Sequence, residues 1–175
     1  GNCCAEVVRV LGSCCMAAPG RPGKPVPNDG IVPTKLYCTN RDVDAENDAR
    51  LREIPGEAHV FSGTDAFFKK TGNASDKKTL TELLNKKIPV ELKLKIGAQV
   101  VLLKKLGKSL VNGSRGVVES VDNGGANVRF DNGLLQRVDR CSHIQVGRGG
   151  SELRRSQLPL KLGWALTMHR AQGMT

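Results

Sequence analysis

The chain has 175 residues, with 27 Lys and Arg against 17 Asp and Glu, a net charge of +10 and an isoelectric point near 9.6. That length suffices for one domain or two small ones with a real core, and no stretch holds the ~20 apolar residues of a membrane-spanning helix. The charge points to a polyanionic partner, nucleic acid ahead of an acidic membrane surface, while one Trp, one Tyr and four Phe argue against a face built mainly on base stacking.

The chain opens on Gly1 and a mildly apolar stretch to residue 18 that carries Cys3, Cys4, Cys14 and Cys15 as adjacent pairs. Zinc prefers cysteines two residues apart, so these and the distant Cys38 and Cys141 read as reduced thiols of an intracellular protein. Ala5 stands where a myristoylation signal needs Ser or Thr. The following run, PGRPGKPVPNDGIVP, has five prolines and three glycines and reads as a linker, with a boundary near residue 33.

TKLYCTN predicts a short strand, and RDVDAENDARLRE a helix capped by Thr39 or Asn40, with Asp42 and Asp44 near its positive end. EAHVFSG suggests another strand. DKKTLTELLNKK predicts a helix capped by Ser75 or Asp76, with Leu80, Leu83 and Leu84 on one face. From residue 89 the period changes. VELKLKI alternates, and AQVVLLKKL, GVVESVD, ANVRF and LLQRVDR follow as further strands, joined in part by Asn-Gly-Gly and Asp-Asn-Gly turns. Five such strands suggest a small antiparallel barrel. Gly147 to Ser151 is an exit, and LPLKLGWALT a buried apolar element. The order is α/β, then all-β, then α/β again: a barrel inserted into an incomplete α/β domain.

Chemistry has three candidate seats. Between residues 86 and 115 lie Lys86, Lys87, Lys93, Lys95, Lys104, Lys105, Lys108 and Arg115 against the single acid Glu91. Lys93 and Lys95 suit a solvated strand face. Lys104, Lys105, Asn112 and Arg115 sit near a loop whose glycines would let a phosphate approach the backbone. The closing segment gathers Thr167, His169, Arg170 and Gln172 with Gly173 at a strand end, where open α/β sheets bind ligands. Thr39 and Asn40 precede a helix N-terminus, an anion-friendly place, though capping accounts for one of them. No phosphate loop of the G-x-x-x-x-G-K-[ST] type occurs. His59, His143 and His169 show no metal spacing, and Asp42, Asp44, Glu46 and Asp48 form a helix face and not a catalytic dyad.

Taken together, LYCTNRDVDAEN, LKIGAQVVLLKKLGKSLVNGSRGVV and RSQLPLKLGWALTMHRAQGMT closely resemble the second motor half of the petite-integration-frequency (PIF-type) DNA helicases of superfamily one, in family order from about Thr34 to Thr175. The resemblance implies an α/β fold: residues 34–89 and 151–175 as parts of a second RecA-like domain, cut short, and residues 90–150 as an inserted small antiparallel β-barrel of the Src-homology type. Residues 1–33 stay unassigned and linker-like.

The resemblance further implies ATP-driven 5′-to-3′ unwinding of DNA with magnesium, in replication, repair, recombination and telomere maintenance, in the nucleus, the mitochondrion or both. Thr39, Asn40, Thr167 and His169 match positions near the DNA strand, Gln172 and Gly173 positions near the ATP phosphates, and Lys105, Asn112, Gly113 and Arg115 the barrel motif; Lys104 joins the last group by charge. Expected partners are single-stranded DNA or a duplex fork, and the first RecA-like domain of the same protein, with no membrane. The phosphate loop, the magnesium-binding acids and the late arginine motif are absent from these residues, so no catalytic residue and no metal ligand is expected here and the chain alone should be inactive. The alternatives are a non-catalytic nucleic-acid-binding module and a degenerate helicase fragment.

Overall fold

The computed structural model describes residues 30–68, 74–147 and 150–168. The chain divides after Gly30 into two units, and the second, from Ile31 onward, carries the elements described below. Strand β1 (Lys35–Tyr37) leads into helix α1 (Asn40–Glu53), followed by strands β2 (His59–Ser62) and β3 (Thr64–Phe68) and helix α2 (Ala74–Lys87). Short strands make up the rest: β4 (Glu91–Leu94), β5 (Gln99–Leu102), β6 (Arg115–Val121), β7 (Gly125–Phe130), β8 (Leu135–Asp139) and β9 (Cys141–Val146). Then come β10 (Glu152–Gln157), β11 (Leu160–Leu162) and β12 (Ala165–Thr167). Among the described residues no helix is long and apolar enough to cross a membrane.

Helix α1 starts where the sequence places it. Thr39 is extended and its hydroxyl accepts the Asp42 amide at 3.2 Å, while donating to the Asp42 carboxylate at 2.7 Å. Val43, Asn47 and Leu51 form its buried side. At the other end, Lys95 donates to the Ile54 carbonyl at 2.7 Å, a cation on the negative pole of the helix. Helix α2 begins at Ala74, so Ser75 and Asp76 lie within the helix and not before it. Leu80 and Leu84 are buried with Ile88 against Leu153, whereas Leu83 is 40% exposed. The covered line is i, i+4, i+8, and Leu83 falls to its flank.

Parallel pairing joins β1 to β12, with Lys35 opposite Ala165 and Tyr37 opposite Thr167. A five-stranded antiparallel sheet runs β11-β5-β6-β7-β8. Its membership differs from expectation. The alternating stretch at residues 90–96 does not join it: β4 pairs with β2, and β11 supplies the outer strand from beyond residue 150. Leu92 and Leu94 are buried as the alternation requires, but Val90 and Ile96 are 47% and 58% exposed. The strand therefore stops short, and Gly97, at φ +87, turns the chain away. Gly116 is needed for a different reason: a Cβ there would lie 2.6 Å from the Arg129 carbonyl oxygen across the β6–β7 pair.

The core is continuous across these pieces. Leu51 of α1 and Phe61 of β2 share it with Val100, Leu102, Val118, Val128, Phe130 and Trp164. A further sheet, β3-β10-β9, is absent from the sequence reading. Its central strand turns Leu153, Arg155 and Gln157 inward, and hydropathy does not reveal a polar inner face. Arg155 is 0% exposed; its Nε and Nη2 each lie 2.7 Å from Asp65, its register partner on β3, and Nη1 donates to the Ile88 carbonyl at 3.0 Å. Removing one member of such a pair strands a buried charge. Asp65→Ala should therefore cost about 3 kcal/mol in urea unfolding; a loss below ~1 kcal/mol would show that the pair does not hold the sheet.

Candidate nucleic-acid interface

The site forms where the carboxyl ends of β1 and β12 meet the N-terminus of α1. Asn47, 3% exposed, pairs with both backbone groups of one residue of β12: Nδ2 donates to the Ala165 carbonyl at 3.1 Å, and the Ala165 amide donates to Oδ1 at 3.0 Å. Glu46 ties the same helix to β1, accepting from Lys35 at 2.7 Å, Tyr37 at 3.2 Å and Arg50 at 3.2 Å. The Lys35 hydrogen bond, ahead of the others, holds the Glu46 carboxyl below the usual carboxylate range. Asn40 lies about two turns before Asn47 and is thereby held beside Thr167.

Asn40 and Thr167 line one cavity of about 630 Å³, with Asn85, Lys86 and Lys87 from the end of α2 and Lys161 from β11. Among the described residues Asp44 is the only acid on this lining. Two of the sequence-derived residues thus share a cleft with three lysines. Thr39 does not contribute in the same way, because its hydroxyl proton goes to Asp42. Of the pair, Thr39 is the cap and Asn40 faces the cleft. His169, Gln172 and Gly173 lie outside the described residues.

The second group sits on the loop between β5 and β6. Lys104, Lys105, Lys108 and Asn112 are exposed. The loop is closed by its own backbone: Leu106 N–H donates to Leu110 at 2.9 Å, Gly113 N–H to Leu102 at 2.8 Å and Ser114 N–H to Val111 at 3.1 Å. Gly113, at φ +96, makes this turn. Its amide is therefore committed within the protein, which corrects the expectation of backbone donors for a phosphate at that position. What the loop offers is side-chain charge. Arg115, on the first residue of β6, is shared with Asp131 at 3.8 Å.

Strand β9 connects the two groups. Lys87 Nζ donates to Gln145 Oε1 at 2.7 Å, and Lys104 Nζ to the Ser142 carbonyl at 3.3 Å. Those residues are three apart on one strand, roughly 10 Å. Between them, His143 lies 3.4 Å from the Cys141 sulfur. Burial first, and the Lys104 charge second, hold the His143 imidazole below its ordinary value, while burial pushes the Cys141 thiol up. Among the described residues no group of three or more His, Cys, Asp or Glu is placed to hold a metal ion.

Lys161 is the residue the sequence reading missed. It lies in an apolar run read as wholly buried, but on β11 its neighbour Leu160 takes the inner face and Lys161 the cleft side. Period-two alternation carries that signal over three residues, too few to stand out.

A family model described as DNA helicase Pif1, 2B domain, matches residues 82–121, from the last turns of α2 to the end of β6. The Rattus norvegicus protein named ATP-dependent DNA helicase PIF1 is 41% identical over 184 aligned residues, which cover 100% of this chain and 26% of that protein. The chain belongs to the Pif1 helicase family. It spans about a quarter of the length of the mammalian relatives it matches end to end. The solved Pif1 helicase from Candida albicans superimposes with a TM-score of 0.64 at 28% identity, over 83% of this chain and 37% of that one. Unliganded Pif1 from Bacteroides sp gives 0.61 at 27%, over 81% and 43%. This Pif1-family chain shares their RecA-like helicase fold.

Two outcomes follow from the site's geometry. Asn47→Ala leaves both polar groups of the Ala165 peptide without their partner and should cost about 3 kcal/mol in urea unfolding; a variant as stable as the parent would dissolve the clamp. His143 binds a proton less readily folded than unfolded, so its contribution to stability is present above the ordinary histidine value of 6.5 and is lost as pH falls below it. Thermal unfolding followed across that window should decline on acidification, and His143→Gln should flatten the decline.

Proposed function

We propose that the chain is part of an ATP-dependent DNA helicase moving 5′-to-3′, and that it supplies the strand-holding face of the motor's second RecA-like domain. In this reading residues 34–89 and 151–175 belong to that domain, and residues 90–150 form a small inserted barrel of the Src-homology type, which takes its outer strand β11 from beyond residue 150 and which β4 does not join. The observation that carries it is the convergence of Asn40 and Thr167, far apart in sequence, with Lys86, Lys87 and Lys161 in one cationic cleft at the carboxyl ends of parallel strands. The relatives' name supports ATP and DNA as the ligands.

Asn40 and Thr167, with His169, would contact the strand, and Lys104, Lys105, Asn112 and Arg115 would meet it again on the β5–β6 loop, where Gly113 would shape the turn. Gln172 and Gly173 would face the ATP phosphates. Magnesium would travel with ATP, its ligands supplied by other parts of the whole protein. The reading extends to roles in replication, repair, recombination and telomere maintenance, in the nucleus, the mitochondrion or both. Because these 175 residues contain no phosphate loop, they should bind DNA without turning over ATP by themselves.

Fluorescence anisotropy with a labelled oligothymidylate tests this. Expected is weak binding whose logarithm falls linearly with the logarithm of salt, weakened severalfold by Lys105→Ala and by Arg115→Ala. Binding indifferent to salt and to both substitutions would overturn the DNA face, and DNA-stimulated phosphate release by the purified chain would overturn its dependence on another domain.

A further inference from the structure

Two helix ends of opposite polarity meet at the cleft. Asn40 and Asp44 bring the N-terminal turns of α1, and Asn85, Lys86 and Lys87 the last turn of α2. The first carries about half a positive charge and the second about half a negative one, so their fields largely cancel there. Backbone dipoles therefore do not decide whether the cleft accepts an anion. Side chains do, and three lysines stand against Asp44. Among the described residues Lys86 has no ion pair, and Lys87 spends one hydrogen bond on a neutral amide.

Beyond Lys161 the sign reverses. A neighbouring cavity of about 320 Å³ shares Lys161 and Asp44 with the first, but it is lined by Asp48 and Glu91, with Lys93 already paired to Glu91 at 3.2 Å. A polyanion entering the cleft is repelled from that end. Its favourable exit is over the end of α2 and along β9, where the side chain of Lys87 reaches Gln145 and that of Lys104 reaches Ser142.

From this geometry we infer that Lys86, Lys87 and Lys161 hold the phosphates of a single nucleic-acid strand and route it from the cleft along the edge of β9 to Lys104 and the β5–β6 loop. The inference rests on the proposed DNA-binding reading and adds the path and the residues that bear it. The acidic cavity beyond Lys161 closes the other direction. The strand is held by point charges, so the path is indifferent to base sequence.

The test uses the whole chain, a labelled oligothymidylate and the salt dependence of its affinity. Lys86→Gln with Lys87→Gln removes two phosphate contacts and should reduce the salt slope by about 1.4. Lys86→Arg with Lys87→Arg keeps the charges and should keep the slope, which separates charge from packing. Lys161→Gln alone should reduce the slope by about 0.7, and Asp44→Asn should tighten binding. Circular dichroism melting of each variant controls for folding. A full slope in both glutamine variants, with Lys105→Ala and Arg115→Ala still reducing it, overturns the path and leaves the DNA-binding reading standing. No effect of any of these substitutions overturns both.

Discussion

The pairing of Asn47 with the Ala165 peptide is the constraint on which the cleft depends. A three-residue strand such as β12 has little pairing of its own, and its parallel partner β1 is equally short. The carboxamide of Asn47 offers a donor and an acceptor in the geometry of a peptide and completes what a neighbouring strand would otherwise supply. Because Asn47 sits on the buried side of α1, the same contact fixes the rotation of the helix. Asn40 and Asp44, at about two turns' and one turn's remove, are then aimed at the end of β12, and Thr167 is held under them. Hydrophobic packing alone would tolerate some rotation or sliding of the helix; the bidentate bond does not.

The same device recurs wherever the chain leaves the α/β part and returns to it. Gln99 at the start of β5 accepts the Val32 amide at 2.8 Å and donates to the Val32 and Gly163 carbonyls at 2.9 and 3.0 Å. Gln157 at the end of β10 donates to Phe61 at 2.8 Å and to Val90 at 3.1 Å. Arg155 reaches Ile88 and Asp65. Each of these side chains is buried, and among the described residues no buried side-chain polar atom lacks a partner. Carbonyls at chain crossings have no ladder to join, and burying them unpaired would cost more than the amides cost to bury. The polar core therefore marks the seams between segments distant in sequence, and the apolar core fills the space between.

This division explains what the sequence discloses. The capped helix at residues 40–53 and the antiparallel strands from Gln99 to Asp139 are legible because their signals are local: Thr39 caps within three residues, and the strands alternate and turn at Asn-Gly and Gly-Gly steps. The β3-β10-β9 sheet is not legible, since Arg155 and Gln157 look like surface residues until Asp65, Ile88 and Phe61 are brought to them. The partner of β4 is hidden for a similar reason. Alternation shows that Leu92 and Leu94 share a face and says nothing of which strand lies alongside. At the site, Asn40 and Thr167 were singled out by residue type at strand ends, but Lys161 required the fold, because only the β11–β5 pairing shows which way it faces.

The chemistry of the cleft also limits how a strand can be held. Among the described residues its lining includes no aromatic side chain for bases to stack on, and it offers asparagine amides, a threonine hydroxyl and ammonium groups. Ammonium groups on flexible stems make no directional demand on the phosphate they meet. In the proposed reading, successive phosphates would replace one another at the same lysine with little change in energy, as passage of a strand through a motor requires. A stacking platform or a bidentate base contact would instead hold particular nucleotides and resist each step. The clamp around Asn47 fixes the walls of the cleft, and in the proposed reading the lysines on them would hold a sliding polyanion without arresting it.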